Sequence, residues 1–253
     1  MSFIYHCHIE LHDSMYHATR EIGRLYETEP IIHNYALCYA LGLVDSEKYA
    51  TTVPEEDSYR YFCPEQVPKY EQHLTPLNQQ GIYVTPAASI HHTSILNTWK
   101  YANNNYHVEM EKTQKNIPSF GRAKEIAPES QFEFFVISQK ELELPKWIRL
   151  GKWMSKAELT IEPLLKPKIA EGVFTCTHPL NPLDVMFTNQ VISYDVVNMP
   201  PVSLIKNVQM RGQYYYFEDI KELKIPVMRG QYYYFEDIKE LKIPVRMAYC
   251  FRG

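Results

Sequence analysis

Three groups of residues in this chain have types and spacings suited to chemistry. The first is His6, His8, Glu10 and His12, alternate positions in the opening stretch FIYHCHIELH. Three imidazoles and a carboxylate are donors that transition metals accept. On a strand, however, alternate side chains stand about 7 Å apart, so only two of the four can readily share an ion. A polar sheet face, or an RNA contact on that face, is the better expectation, with no metal. The second group is His91 and His92 together with Tyr26. They would suit a metal-free ribonuclease, because attack by a 2′-hydroxyl needs a base, an acid and positive charge. Nothing in their spacing brings them together, and an exposed histidine pair in a turn is the simpler reading. The third is KWIRLGKWMSK, which sets Lys146, Arg149, Lys152 and Lys156 around Trp147 and Trp153. Cations for phosphate beside aromatic planes for unpaired bases are what single-stranded RNA binding requires. A solvated face over two core tryptophans would have the same composition. Cys176 and His178 lack a partner pair at zinc spacing, so no metal and no cofactor is expected.

Elements must position these groups. Phe3, Tyr5, Cys7, Ile9 and Leu11 alternate with the histidine row, which predicts a half-buried strand with one apolar face. Thr28 can cap a helix with Glu29 and Pro30 in its first turn, and Ile32, Tyr35, Ala36, Tyr39, Ala40 and Leu43 form a stripe that docks it on the sheet. Between strand and helix, residues 13–28 read as a solvated loop with local ion pairs. Residues 45–68 lack periodicity and read as a long excursion. A short helix over 69–80 stops at Gly81 and is followed by a strand through Ile82 and Val84. A helix from Ser94, broken at Asn103–Asn105, leads to a strand through Tyr106, Val108 and Met110. A turn at Gly121 precedes the clearest strand, Phe132 to Ile137. Gly151 makes a turn before a strand over 157–165. Residues 173–185 are a strand and a Pro-punctuated loop organised by Asn181 and Asp184.

The chain has 253 residues, 45% of them hydrophobic, enough for one large or two small cores. Its net charge of −4 argues against sequence-independent binding of long nucleic acid, since phosphate neutralisation drives such binding. A local basic patch suffices for a short RNA segment. No apolar run approaches the ~20 residues of a membrane span, and the N-terminus has no signal-peptide pattern, so a cytoplasmic protein without membrane contact is expected. Cys7, Cys38, Cys63, Cys176 and Cys250 are scattered singly and read as reduced, mostly buried thiols. The segment MRGQYYYFEDIKELKIPV at 210–227 recurs without a difference at 228–245. Repeats that stack in a fold diverge, and two units are too few for a solenoid. Only one copy is expected to fill the closing strand register.

LHD, EIGRLYETEP and IHNYALCYALGL near the start, PKWIRLGKWMSKAEL at 145–159 and HPLNPLDV at 178–185 resemble the small RAMP subunit of type I-D CRISPR complexes, the Cas-five-type family called Csc-one. The resemblance covers nearly the whole chain. It implies an α+β fold: a single RAMP domain with a ferredoxin-like (RRM-like) core, an antiparallel sheet and elaborating β-hairpins. It also implies a non-catalytic Cascade subunit in antiviral defence that binds the 5′ handle of the crRNA, caps the filament of Cas-seven-type backbone subunits and seats the large subunit, with target DNA near the PAM as a further partner. Metal-independent crRNA processing is the alternative. Under this resemblance Arg20, Arg24, His33 and Asn34, in the segment leading into the first helix, become RNA-binding candidates. The basic pair Arg122 and Lys124, and Lys146, Arg149, Lys152, Trp153 and Lys156, join them. The glycine-rich loop usual near the C-terminus of RAMP proteins is not evident.

Overall fold

In chain order the strands are β1 (Phe3–Leu11), β2 (Arg20–Ile22), β3 (Leu25–Glu27), β4 (Ile31–Ile32), β5 (Ile82–Val84), β6 (Ala87–His91), β7 (Ser94–Tyr101), β8 (Ser119–Ile126) and β9 (Gln131–Ser138). They continue with β10 (Trp147–Leu150), β11 (Ser155–Leu164), β12 (Lys168–Cys176), β13 (Gln190–Val197), β14 (Leu204–Tyr216), β15 (Ile225–Val227), β16 (Gln231–Tyr233) and β17 (Lys242–Pro244). The helices are α1 (Asn34–Ala40), α2 (Tyr70–Gln80) and α3 (Pro182–Val185). The computed structural model describes residues 3–44, 70–101, 119–164, 168–187, 189–216, 225–227, 231–233 and 242–251. The expected excursion at 45–68 and strand through 106–110 lie outside them.

Sheet one is antiparallel, in the order β10-β11-β1-β9-β6-β4, with β5 also on β9. Its centre is the predicted first strand. The apolar row of β1 is buried as expected, but His6 and His8 are buried too, on a face where Phe135 stacks on His6 and His178 packs edge-on against Phe135. His6 Nε2 meets Glu133 Oε2 at 2.9 Å. The expected solvent-facing polar row is therefore an interior one at these two positions. Among the described residues, no group of three or more such donors is placed to hold a metal ion.

The first helix starts later than the sequence suggests. Ile31 and Ile32 form β4 against Ala87 and Ala88, where β-branched side chains fit a pleated surface. His33, not Thr28, is the N-cap, accepting the Tyr35 N–H on Nδ1. Thr28 instead accepts the His17 N–H and donates its own to Lys124. Tyr35, Leu37, Cys38 and Leu41 form the buried side of α1, whereas Ala36 of the expected stripe is exposed. Helix α2 and its stop at Gly81 (φ +66°) are as predicted.

Sheet two is β2-β3-β8-β7, with β3 and β8 parallel. The stretch from Ser94 is a strand here, not a helix: β7 pairs with β8 from Ser94 opposite Ile126 to Tyr101 opposite Ser119. Gly121 accordingly lies within β8, opposite Trp99, and makes no turn. Residues 13–28 likewise hold a hairpin, β2–β3, tied by Arg20 to Glu27.

Sheet three is β12-β14-β13, with β17 also on β14. The repeat does not simply lose one copy. Tyr214–Tyr216 of the first copy pair with Lys242–Pro244 of the second, and β15 pairs with β16. Sheet three meets α1 and β5 through Asp184 on α3. Asn181 caps α3 by accepting the Leu183 N–H, as its turn role implied. Asp184 does more than organise a turn: it is buried and accepts from Asn34 Nδ2 and Tyr83 Oη at 2.9 Å and from the Cys250 N–H at 3.4 Å. Burial pushes its carboxyl up to about 7 against these bonds.

Candidate nucleic-acid interface

The segment 145–159 forms the hairpin β10–β11 at the end of sheet one, with Arg149 opposite Lys156 and Trp147 opposite Glu158. Alternation buries Ile148, Leu150, Ser155 and Ala157 and leaves Trp147, Arg149 and Glu158 outward. The turn Gly151–Met154 is held to the chain after β1: the Lys152 N–H donates to the Tyr16 carbonyl at 2.8 Å and Ser155 Oγ to the Ser14 carbonyl at 2.6 Å. Asp13 accepts the Lys156 N–H at 2.9 Å and stands 4.0 Å from Arg149. Gly151 has φ +72°, and a Cβ there would come within 2.7 Å of the Tyr16 oxygen, so the predicted turn glycine is required on both counts.

The two tryptophans face different surroundings. Trp147 is 44% exposed, with the Lys156 ammonium 3.9 Å from its ring centroid and His12 edge-on. Trp153, 43% exposed, stacks on Tyr16 and leans against Trp99 of sheet two. Neither is a core residue.

Between the hairpin and α1 runs a groove of about 790 Å³. Trp147, Arg149, Lys152 and Lys156 line one side, and the half-buried Tyr39 and Tyr70 the other, with the buried Tyr35 between them and the core. Met199, Pro200 and Pro201 also line it, with the Pro200–Pro201 peptide cis. His17 also lines the groove, its imidazole pushed down to about 4 by burial and therefore neutral near pH 7. Cations beside aromatic rings in a concave surface can hold phosphate and stack an unpaired base.

The remaining predicted residues fall in two places. Arg20, Arg24, Arg122 and Lys124 gather on sheet two, where Leu25 lies opposite Arg122 and Glu27 opposite Lys124. Arg20 is bound to Glu27 at 2.5 Å, and Lys124 stands 4.0 Å from the same carboxylate, so part of this charge is neutralised. His33 and Asn34 are interior. His33 caps α1 and meets the Val202 carbonyl at 3.2 Å, with burial pushing its imidazole down to about 4, and Asn34 holds Asp184. The expected RNA contact of Asn34, fully buried and outside the groove, is corrected to a structural role, whereas His33 caps α1 at the groove's own lining with little exposed surface. Lys146 is exposed just before β10, beside the groove's basic wall. His91 and His92 are exposed at the end of β6, where His92 Nδ1 bonds Ser89 Oγ at 2.9 Å, while Tyr26 lies on β3 of another sheet. Sequence reasoning missed the tyrosine wall, which needed α1 and α2 to be set against the hairpin, and the Trp99–Trp153 contact, because Trp99 was assigned to a helix.

No helix among the described residues is long and apolar enough to cross a membrane. No curated protein matches the chain. A family model, Type I-D CRISPR-associated protein Cas5/Csc1, matches residues 2–252. The chain, whose basic and aromatic hairpin falls within that match, belongs to the type I-D CRISPR-associated Cas5/Csc1 family.

Proposed function

We propose that this type I-D Cascade subunit is a non-catalytic one that holds the 5′ handle of the crRNA in the groove between α1 and the β10–β11 hairpin. In the same reading it caps the filament of Cas-seven-type subunits, seats the large subunit and stands near the PAM-proximal target DNA. The observation that carries the proposal is the groove wall itself: Arg149, Lys152 and Lys156 stand beside Trp147, opposite the half-buried Tyr39 and Tyr70. Arg24 and Arg122, adjoining on sheet two through the Arg122 N–H to Arg24 carbonyl bond of 2.9 Å, supply a second basic contact, with Arg20 and Lys124 beside them. A ferredoxin-like core is supported by the order β11-β1-β9 with β5 and β6 next, all antiparallel, which matches the 4-1-3-2 order of that fold. The segment between β9 and β10 holds no helix, so the second helix of that plan is missing here.

The test is retention of crRNA by the assembled complex, with and without the 5′ handle. Arg149→Ala with Lys152→Ala is expected to weaken handle-dependent retention by about 10-fold or more, the scale of losing charged hydrogen bonds to phosphate. Specific RNA cleavage by the isolated chain, abolished by His91→Ala or His92→Ala, would replace this reading with a processing endoribonuclease.

A further inference from the structure

The 18-residue repeat contains one strand pair, written twice. Tyr215 lies opposite Ile243 and Tyr214 opposite Pro244, and the Val245 N–H donates to the Gln213 carbonyl at 2.9 Å. In the second ladder Tyr233 lies opposite Ile225, Tyr232 opposite Pro226 and Gln231 opposite Val227. These are the same three pairs, because Gln231-Tyr232-Tyr233 repeats Gln213-Tyr214-Tyr215 and Ile225-Pro226-Val227 repeats Ile243-Pro244-Val245. The tyrosine strand of each copy is thus closed by the Ile-Pro-Val strand of the other.

The alternative assignment pairs each tyrosine strand with the Ile-Pro-Val strand of its own copy. It makes the same two ladders from the same residues in the same register, so no side chain within the pairs distinguishes the two. Only the connections differ. In the observed arrangement, residues 228–245 include the edge strand; in the alternative they lie between it and Arg246. Loop closure grows costlier only slowly with length, so this difference is a weak discriminator. The tail beyond Arg246 can keep its seat either way: Tyr249 is buried, its hydroxyl accepts the Val84 N–H at 2.9 Å, and its own N–H donates to Asn78 Oδ1 at 2.9 Å.

From this redundancy we infer that Ile225–Val227 and Ile243–Val245 are interchangeable edge strands of sheet three, each able to close β14 when the other is lost. Ile243 is fully buried at that edge, so in a chain with one such strand an aspartate in its place would unfold the sheet. Here the outcome depends on the other copy.

The experiment is thermal unfolding of the full chain carrying Ile243→Asp, Ile225→Asp or both, alongside a chain lacking residues 228–245. Each single variant is expected to melt within about 3 °C of the parent, and the double variant at least about 10 °C lower. Ile225→Asp in the shortened chain, which has no second copy, is expected to reproduce the loss of the double variant. If Ile243→Asp alone melts as low as the double variant, the strands are not interchangeable and the inference falls. It falls equally if the double variant melts like the parent, since neither strand would then be holding the sheet.

Discussion

The histidine row of β1 and the tryptophan hairpin β10–β11 belong to one sheet and have opposite fates. His6 is 1% exposed and His8 7%, whereas Trp147 and Trp153 are 44% and 43% exposed. Residue type alone would reverse that order. Position in the sheet decides it: β1 is central, with β9 and β11 beside it and Phe135 and His178 packed on its histidine face, whereas β10 ends the ladder and its hairpin turn meets the loop after β1 and the edge of sheet two. Polar groups in the centre act on stability through protonation, and aromatic and basic groups at the end remain free to bind. The two regions should therefore respond to different perturbations.

Acid should separate them most strongly. Burial holds His8 down to about 3 and His17, His33 and His178 down to about 4, from an unperturbed 6.5. Below pH 6.5 the unfolded chain takes up protons that the folded chain refuses, so stability falls as pH drops from about 6.5 towards 4. By pH 4 each of these groups costs about 3 kcal/mol. Asp184 opposes this. With its carboxyl raised from 3.8 to about 7, the folded state binds a proton that the unfolded state lacks, which adds stability as pH falls from 7 to 4. Four depressed histidines outweigh one raised carboxyl, and denaturant unfolding should show a loss of several kcal/mol between pH 7.5 and 5. A flat profile over that range would mean that these histidines are not buried in solution.

Legibility in the sequence divides along the same line. The strands at 3–11 and 132–137, helix α2 with its Gly81 stop and the Gly151 turn could be read because alternation, helical spacing and positive-φ glycines are local signals. Ser94–Tyr101 was misread as a helix because its strand identity comes from pairing with β8, and the start of α1 was misplaced because Ile31–Ile32 answers to β6. The basic and aromatic side of the site lies within eleven consecutive residues and could be read. The tyrosine side comes from α1 and α2, brought opposite the hairpin only by folding. His33 and Asn34 carry RNA-binding types, yet their burial depends on Asp184 and Val202, far along the chain.

A second perturbation crosses from one region to the other. Gly151→Ala places a Cβ where the Tyr16 carbonyl stands, at a φ of +72°, so the turn must shift. The expected cost is about 2 kcal/mol, as for strained backbone. The turn carries Lys152 and joins the strands holding Arg149 and Lys156, so crRNA retention by the complex should weaken as well. Unchanged retention with lowered stability would show that the groove's basic wall tolerates displacement, and would weaken its claim to be the binding surface.

The smallest expected effect is the least intuitive. Neither ring nitrogen of His8 has a hydrogen-bond partner, and both are shielded from solvent. Burial is the first cause of its lowered pKa, with His6 adding repulsion and Glu133 pulling the other way. A buried polar group without partners subtracts from stability, so an apolar side chain of similar size should be better tolerated than histidine. His8→Leu is expected to raise unfolding stability at pH 7 by about 1 kcal/mol. The gain should widen at pH 5, because the unfolded-state proton uptake at that position disappears. Binding at the hairpin should not change, since β11 lies between β1 and β10 and His8 does not line the groove. A loss of stability on this substitution would mean that the His8 ring has a partner in solution, and with it a place in the network of His6 and Glu133.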